Sequence, residues 1–365
     1  MIPKSAELLQ SPLSQIQETT ADKAQKCDKS WQQQQADALR EPARLLQQLA
    51  LPDSLLAPAE AAGARFSLRV PAAWLARIEK GNPADPLLRQ ILPAAEELQS
   101  STGFSTDPVG DHAARAAPGL LHKYQGRVLL MTTGACAIHC RYCFRRHYPY
   151  SDDSLLTQLP AALDYIRADN SIHEVILSGG DPLSLSNARL AQLIQQVQTI
   201  AHVKRLRIHT RSPIALPERV DTGLLEVLNN IKLQTVMVIH CNHPGELDEQ
   251  VLKTLSALRQ CDLTLLNQSV LLKGVNDDVD VLSQLSEQLF SAGVLAYYLH
   301  QLDRVEGAEH FEVPEVEAIQ LHHALRQQLP GYLLPELVRE QRGVGAKTPL
   351  QEACRPWVAP IHKHG

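Results

Sequence analysis

The chain has 365 residues, 44% of them hydrophobic, and 35 basic against 40 acidic side chains leave a net charge of −5. That acidic balance disfavours a dedicated nucleic-acid-binding or membrane-surface protein. There is no run of about 18 apolar residues and no apolar stretch behind a basic start, so neither a membrane span nor a leader is expected and a cytoplasmic location is.

The first hundred residues are rich in Gln, Ala, Leu and Glu. Their runs PARLLQQLALP and DPLLRQILPAAEEL predict helices separated by proline-containing turns. From about residue 127 short β-branched or aliphatic runs alternate with amphipathic stretches. Strands are predicted over 127–133, 174–180, 205–210, 235–240, 263–272 and 295–302. Helices are predicted between them in NARLAQLIQQVQTIA, TGLLEVLNNI, ELDEQVLKTLSALRQ and VDVLSQLSEQLFSAG. Six such units with buried-looking strands imply a parallel sheet, either open and doubly wound or bent into a partial barrel. Cys136, the run Ser178-Gly179-Gly180-Asp181, His240 and Asp303 all follow strands, where a barrel gathers its catalytic groups. The expected divisions are a mainly helical region 1–105, an α/β region 106–304 and a C-terminal segment 305–365.

Seven cysteines are too few, and too odd in number, for a disulfide scaffold. Cys27, Cys241, Cys261 and Cys354 stand alone, whereas GACAIHCRYCFRRHY carries Cys136, Cys140 and Cys143 at the end of the first predicted strand. Three thiolates in one tight loop suit one face of a [4Fe–4S] cluster and leave the fourth iron open to a small molecule. A zinc site completed by His139 or His147 is the alternative, as are three unrelated buried thiols. Zinc sites usually pair CxxC units at a distance, and no second CxxC exists in the chain.

CxxxCxxC on the first strand–helix loop of a six-fold α/β repeat resembles the radical S-adenosylmethionine superfamily. The segments DPVGDHAARAAPGLLHKYQGRVLLM, CRYCFRRHY, LSGGDPL, HCNHP, NQSVLLKGVND, YYLHQLD and GVGAKTP narrow the resemblance to the lysine 2,3-aminomutase family, in order from about residue 80 to residue 350. The chain ends 18 residues beyond Lys347, which resembles the short bacterial branch linked to (R)-β-lysylation of translation elongation factor P. The resemblance implies an α/β fold, a radical SAM partial (β/α)6 barrel with an N-terminal helical region and a short C-terminal segment. It implies an isomerase that makes β-lysine from L-lysine by a radical 1,2-amino shift. The implied cofactors are a [4Fe–4S] cluster held by Cys136, Cys140 and Cys143, S-adenosyl-L-methionine and pyridoxal 5′-phosphate. A protein that reduces the cluster, and a functional link to elongation factor P and its lysine ligase, complete the implied partners, with self-association left open.

The resemblance also distributes roles. Lys347 would bind pyridoxal phosphate covalently; read alone, GVGAKTP suggests a phosphate-binding loop, but Ala346 precedes the lysine and the upstream spacing fails. Val344 and Ala346 replace family glycines. Lys123 and Arg127 would hold the cofactor phosphate, or else form a solvated basic pair. Ser178, Gly179, Gly180 and Asp181 would receive the amino group of S-adenosylmethionine, two glycines permitting close main-chain approach, though an ordinary turn reads the same. His240 and Gln268 would lie near that cofactor. Arg145 would take the substrate carboxylate as a planar fork, with Arg146 the alternative. Asp303 and Glu340 would hold the ammonium of the lysine side chain; long family members have Asp at the second position. The rival readings are an aminomutase for another amino acid, such as glutamate, and a zinc-stabilised, non-catalytic binding protein.

Overall fold

The computed structural model describes residues 29–99, 101–150 and 155–350. Cys27 and Cys354 lie outside them.

Five short helices open the described chain: α1 (Trp31–Ala36), α2 (Pro42–Gln48), α3 (Leu56–Arg65), α4 (Ala72–Leu75) and α5 (Pro86–Arg89). One of the sequence expectations shrinks here. The run from Asp85 to Leu98 yields only α5 and a 3-10 turn at Ala95–Leu98, because Pro93 cannot donate to a continuing helix. The helices nonetheless bury a firm face. Leu45, Trp74, Leu88 and Ile91 are essentially inaccessible and join the same apolar core as the strands that follow.

The ten strands form one sheet in strict sequence order. They are β1 (Arg115–Ala117), β2 (Leu120–Tyr124), β3 (Arg127–Thr133), β4 (Glu174–Gly179), β5 (Arg205–Thr210), β6 (Gln234–Ile239), β7 (Thr264–Val270), β8 (Leu295–His300), β9 (Glu336–Arg339) and β10 (Thr348–Pro349). Strands β3 to β9 are parallel; β1, β2 and β10 are antiparallel additions at the edges. The six expected strands are β3 to β8, with ends within two residues of expectation. The sheet then continues through β9, beyond the division expected near residue 304.

Helices α6 (Leu155–Ala168), α7 (Asn187–Gln198), α8 (Ser212–Ala215), α9 (Thr222–Asn229), α10 (Glu249–Arg259), α11 (Val279–Ser291) and α12 (Glu315–Gln328) fill the six crossovers. Their starts are written locally: Ser186, Asp221, Asp248 and Asp278 accept hydrogen bonds from the first-turn amides of α7, α9, α10 and α11. Among the described residues no helix is long and apolar enough to cross a membrane.

Strand order settles the choice between a doubly wound sheet and a partial barrel. A doubly wound sheet reverses its order at a switch point, whereas this one never reverses, and right-handed crossovers then place every helix on the same face. Alternation along the strands agrees. Val128, Val175, Leu206, Ile208, Met237, Ile239 and Leu265 are buried beneath the helices. Their neighbours on the opposite face, among them Ile176, Arg207, His209, Gln268 and Tyr298, line one cavity. The end strands β1 and β10 do not pair with each other, so the barrel stays open.

Candidate active site

The cavity enclosed by the sheet has a volume of about 370 Å3. It gathers Lys123, Arg127, Cys136, Cys140, Cys143, Arg145, Ser178, Gly179, Gly180, Asp181, His240, Gln268, Asp303, Glu340 and Lys347, which the sequence scatters over more than two hundred positions. Arg146, His139 and His147 are turned elsewhere. Arg146 pairs with Glu97 and donates to Gly307 O, His139 Nδ1 meets Ser67 O at 2.8 Å, and His147 Nε2 meets Glu306 O at 3.1 Å.

The three thiols stand on the loop after β3. His139 and His147, the two histidines that could complete a zinc site with them, bond to main-chain oxygens instead. Burial, reinforced by neighbouring charges, pushes the Cys143 thiol up to about 11 and Cys136 well above its ordinary value. Such thiols become thiolates only against positive charge, which iron in a cluster supplies.

The glycine pair has a purpose beyond ligand contact. A Cβ on Gly180 would stand 2.4 Å from Ala135 O, and one on Gly179, which has φ +113°, would stand 2.8 Å from Thr133 O. Both glycines therefore let the β4 loop pass directly beneath the cysteine loop. The loops are stitched by Gly180 N–H donating to Thr133 O at 2.6 Å and Asp181 N–H to Ala135 O at 2.8 Å. Asp181 lines the cavity and is also held by the chain itself. Its carboxylate accepts from Leu183 N and Thr210 Oγ1 on one oxygen, and from Arg211 N, Ser212 N and Ser212 Oγ on the other. With five protein donors it clasps the loop after β5, beside Ser178 and the glycines.

Across the cavity the charged groups form a ladder. Lys347 Nζ lies 3.3 Å from Glu340 Oε2, and Glu340 Oε1 takes Lys123 Nζ at 3.0 Å. Lys123 also meets Asp111 Oδ1 at 2.6 Å, and Asp111 Oδ2 receives Arg145 Nε at 2.6 Å. Arg145 Nη1 donates to Ser178 Oγ at 3.1 Å, while its Nη2 takes no partner among the described residues. Burial alone would raise the Glu340 carboxyl, but Lys347 and Lys123 outweigh it and hold it at about 2. Asp303 shows the reverse. Burial and the neighbouring Glu340 charge lift it to about 7, against the opposing pull of the two lysines. No hydrogen bond or ion pair reaches its carboxylate among the described residues. Arg127 stacks over Tyr124 at 4.6 Å and has no acidic partner there.

Several residues around the site were not singled out from the sequence. Asp111, after a Val-Gly turn, stands behind the cavity wall and holds Lys123 and Arg145; His209 and Arg207 alternate along β5; His300 ends β8, 3.5 Å from Lys347 Nζ; and the Tyr298 ring lies 5.5 Å from the same amine. Burial lowers His240 to about 3 and keeps His209 and His300 neutral as well. Among the described residues His209 Nε2 and His240 Nε2 are buried without a partner, as they would be if a ligand were to meet them.

Comparison with known proteins follows the same lines. The sequence model of the Radical SAM superfamily matches residues 130–285. The chain is 46% identical over 322 residues to an L-lysine 2,3-aminomutase of Haemophilus influenzae, covering 88% of this chain and 95% of that one. It is 45% identical over 327 residues to that of Escherichia coli, covering 89% and 95%. Against the L-lysine 2,3-aminomutase of Clostridium subterminale the identity is 38% over 280 residues, covering 76% and 67%.

Proposed function

Because the chain belongs to the lysine 2,3-aminomutase family of radical S-adenosylmethionine proteins, we propose that it converts L-lysine to β-lysine by moving the amino group from C2 to C3. The observation that carries this reading is Asp303, a half-buried carboxylate without a partner among the described residues, in a cavity that presents Arg145 elsewhere. An amino acid with a cationic side chain satisfies both ends. Its carboxylate meets the free Nη2 of Arg145 and its ammonium meets Asp303, backed by Glu340. A glutamate substrate would instead bring a second anion against two acids, which counts against that rival.

Membership of the superfamily implies a [4Fe–4S] cluster and S-adenosylmethionine. The residues fit both, with three thiols on one loop and the orphaned His240 Nε2 in the same cavity as the Ser178 run. Pyridoxal phosphate belongs to our reading, supported by the Lys347 amine exposed to the cavity and by Arg127 with no acid to neutralise it. When bound, the cluster and S-adenosylmethionine supply a hydrogen-abstracting carbon radical, and pyridoxal supplies a π-system that spreads the unpaired spin. The chain's own residues do the positioning. Arg145 and Asp303 pin the substrate at two ends, which fixes C2 and C3 between them, and the surrounding strands exclude water.

The product is proposed to feed β-lysylation of elongation factor P through a separate ligase in the cytoplasm. The support is the higher identity to the Haemophilus influenzae and Escherichia coli relatives than to that of Clostridium subterminale. Anaerobic incubation with L-lysine, S-adenosylmethionine, pyridoxal phosphate and dithionite, followed by chiral chromatography, tests the activity. β-Lysine is expected. Turnover of glutamate with lysine untouched would establish the rival aminomutase instead.

A further inference from the structure

A buried polar cluster around Arg211 lies beside the cysteine loop and takes no part in the substrate contacts above. Its main-chain N–H and that of Ser212 each donate to Asp181 Oδ2 at 2.9 Å, which fixes the root of the side chain. The guanidinium then reaches the cysteines. Nη1 lies 2.6 Å from Cys140 Sγ and 2.5 Å from Tyr142 Oη; Nη2 donates to Gln90 Oε1 at 2.7 Å and Glu246 Oε2 at 3.3 Å. The Trp74 ring packs 4.7 Å away. Arg211 is 6% exposed and Glu246 fully buried, so solvent screens this charge little. Among the described residues neither Cys136 nor Cys143 receives a side-chain guanidinium in this way.

We propose that Arg211 is the positioning residue that sets the reduction potential of the cluster, through its charged hydrogen bond to the Cys140 sulfur. Reduction transfers one electron from a low-potential donor, such as dithionite, to the cluster, and no bond of the protein forms or breaks. The added negative charge spreads over iron and sulfur. A fixed cation at one sulfur stabilises the reduced form more than the oxidised form and raises the potential. Glu246 opposes this from the far side of the guanidinium, and Gln90 and Asn242 hold Glu246 in place by hydrogen bonds at 2.9 and 3.1 Å. Membership of the superfamily is all this inference needs; it stands or falls apart from the choice of lysine as substrate.

The test is an EPR-monitored redox titration of the full chain with its cluster reconstituted. Glu246→Gln preserves the size and shape of the side chain and removes the opposing charge, at the loss of one accepted hydrogen bond, so its midpoint should move positive. Arg211→Gln combined with Glu246→Gln should move the midpoint negative of both Glu246→Gln and the wild type, at unchanged iron and sulfide content. Arg211→Lys, keeping the charge and losing the fork, should fall between. A general loosening of the site would not give shifts of opposite sign. An unchanged or negative shift in Glu246→Gln overturns the proposal, and this variant decides the matter even if the Arg211 variants fail to retain a cluster.

Discussion

Lys347 and Glu340 meet at 3.3 Å, and Glu340 is shared with Lys123 at 3.0 Å, while Asp303 opens onto the same space with no cation of its own. The two acids are therefore unequal. Glu340 is already neutralised by the chain, and Asp303 waits for a charge from outside. If Lys347 is the cofactor lysine, Glu340 also offers a resting place for its amine whenever that amine is free.

Borohydride reduction of the protein loaded with pyridoxal phosphate, followed by peptide mapping, should place the phosphopyridoxyl label on Lys347. Lys347→Ala should keep its iron and sulfide and lose the label. A label on Lys123 or Lys273 with Lys347 unmodified would remove the assignment.

Asp303→Asn should raise the KM for lysine by orders of magnitude, since a buried ammonium stripped of its partner typically costs about 3–5 kcal/mol. A pH dependence should accompany it. Asp303 binds an ammonium only as a carboxylate, and burial lifts its pKa to about 7. The kcat/KM of the wild type should thus fall as pH drops below about 7, roughly tenfold per unit. Asp303→Asn should lack this limb; a variant that retains it points to another group.

Replacing Cys136, Cys140 or Cys143 by Ser should each abolish the reduced-cluster EPR signal. Cys241→Ser should not, because that thiol is fully buried, lies 3.6 Å from His243 O and does not line the cavity. Loss of iron from Cys241→Ser would contradict the ligand set.

Gly180→Ala should destabilise the fold by about 1–3 kcal/mol through overpacking and lower the iron content, because its Cβ meets the backbone of Ala135 at 2.4 Å, where no side chain can yield. Thermal unfolding and iron analysis read both effects. A variant with unchanged iron shows that the two loops can separate without cost to the cluster.

Glu97→Ala should cost about 3–5 kcal/mol in urea unfolding, since it strips the carboxylate from two buried arginines. Glu97 receives Arg141 at 2.8 and 2.5 Å and Arg146 at 2.7 Å, and is itself 2% exposed. A loss below about 1 kcal/mol would show that water reaches the pair.

The strands facing the cavity were legible because β-branched and aliphatic runs of six or seven residues persist whatever surrounds them. β5 coincides with RLRIHT to the residue. Its alternation of polar and apolar positions already marks a strand with one wet face, a signal that could have placed Arg207 and His209 in the cavity. The edge strands were not legible, since Arg115–Ala117 and Thr348–Pro349 are too short to carry periodicity and exist through pairing. β9 was hidden inside the apolar run GYLLPELV, which looks the same as a helix end. Glu97 and Asp111 were invisible for a different reason. A buried acid and a solvated one have the same letter, and only the arrival of Arg141, Arg145 and Lys123 from elsewhere in the chain tells them apart.

The alternation of charge from Lys347 through Glu340, Lys123 and Asp111 to Arg145 makes five side chains one energetic unit. Removing one member frees its neighbours to regroup, so substitutions within the set will not add, and a pair of them will cost less than the sum of the two. Altering the substrate spectrum by one residue at a time is therefore a poor route. A new side-chain charge would be accommodated only by exchanging an acid and a base together, so that the sign pattern across the cavity is kept.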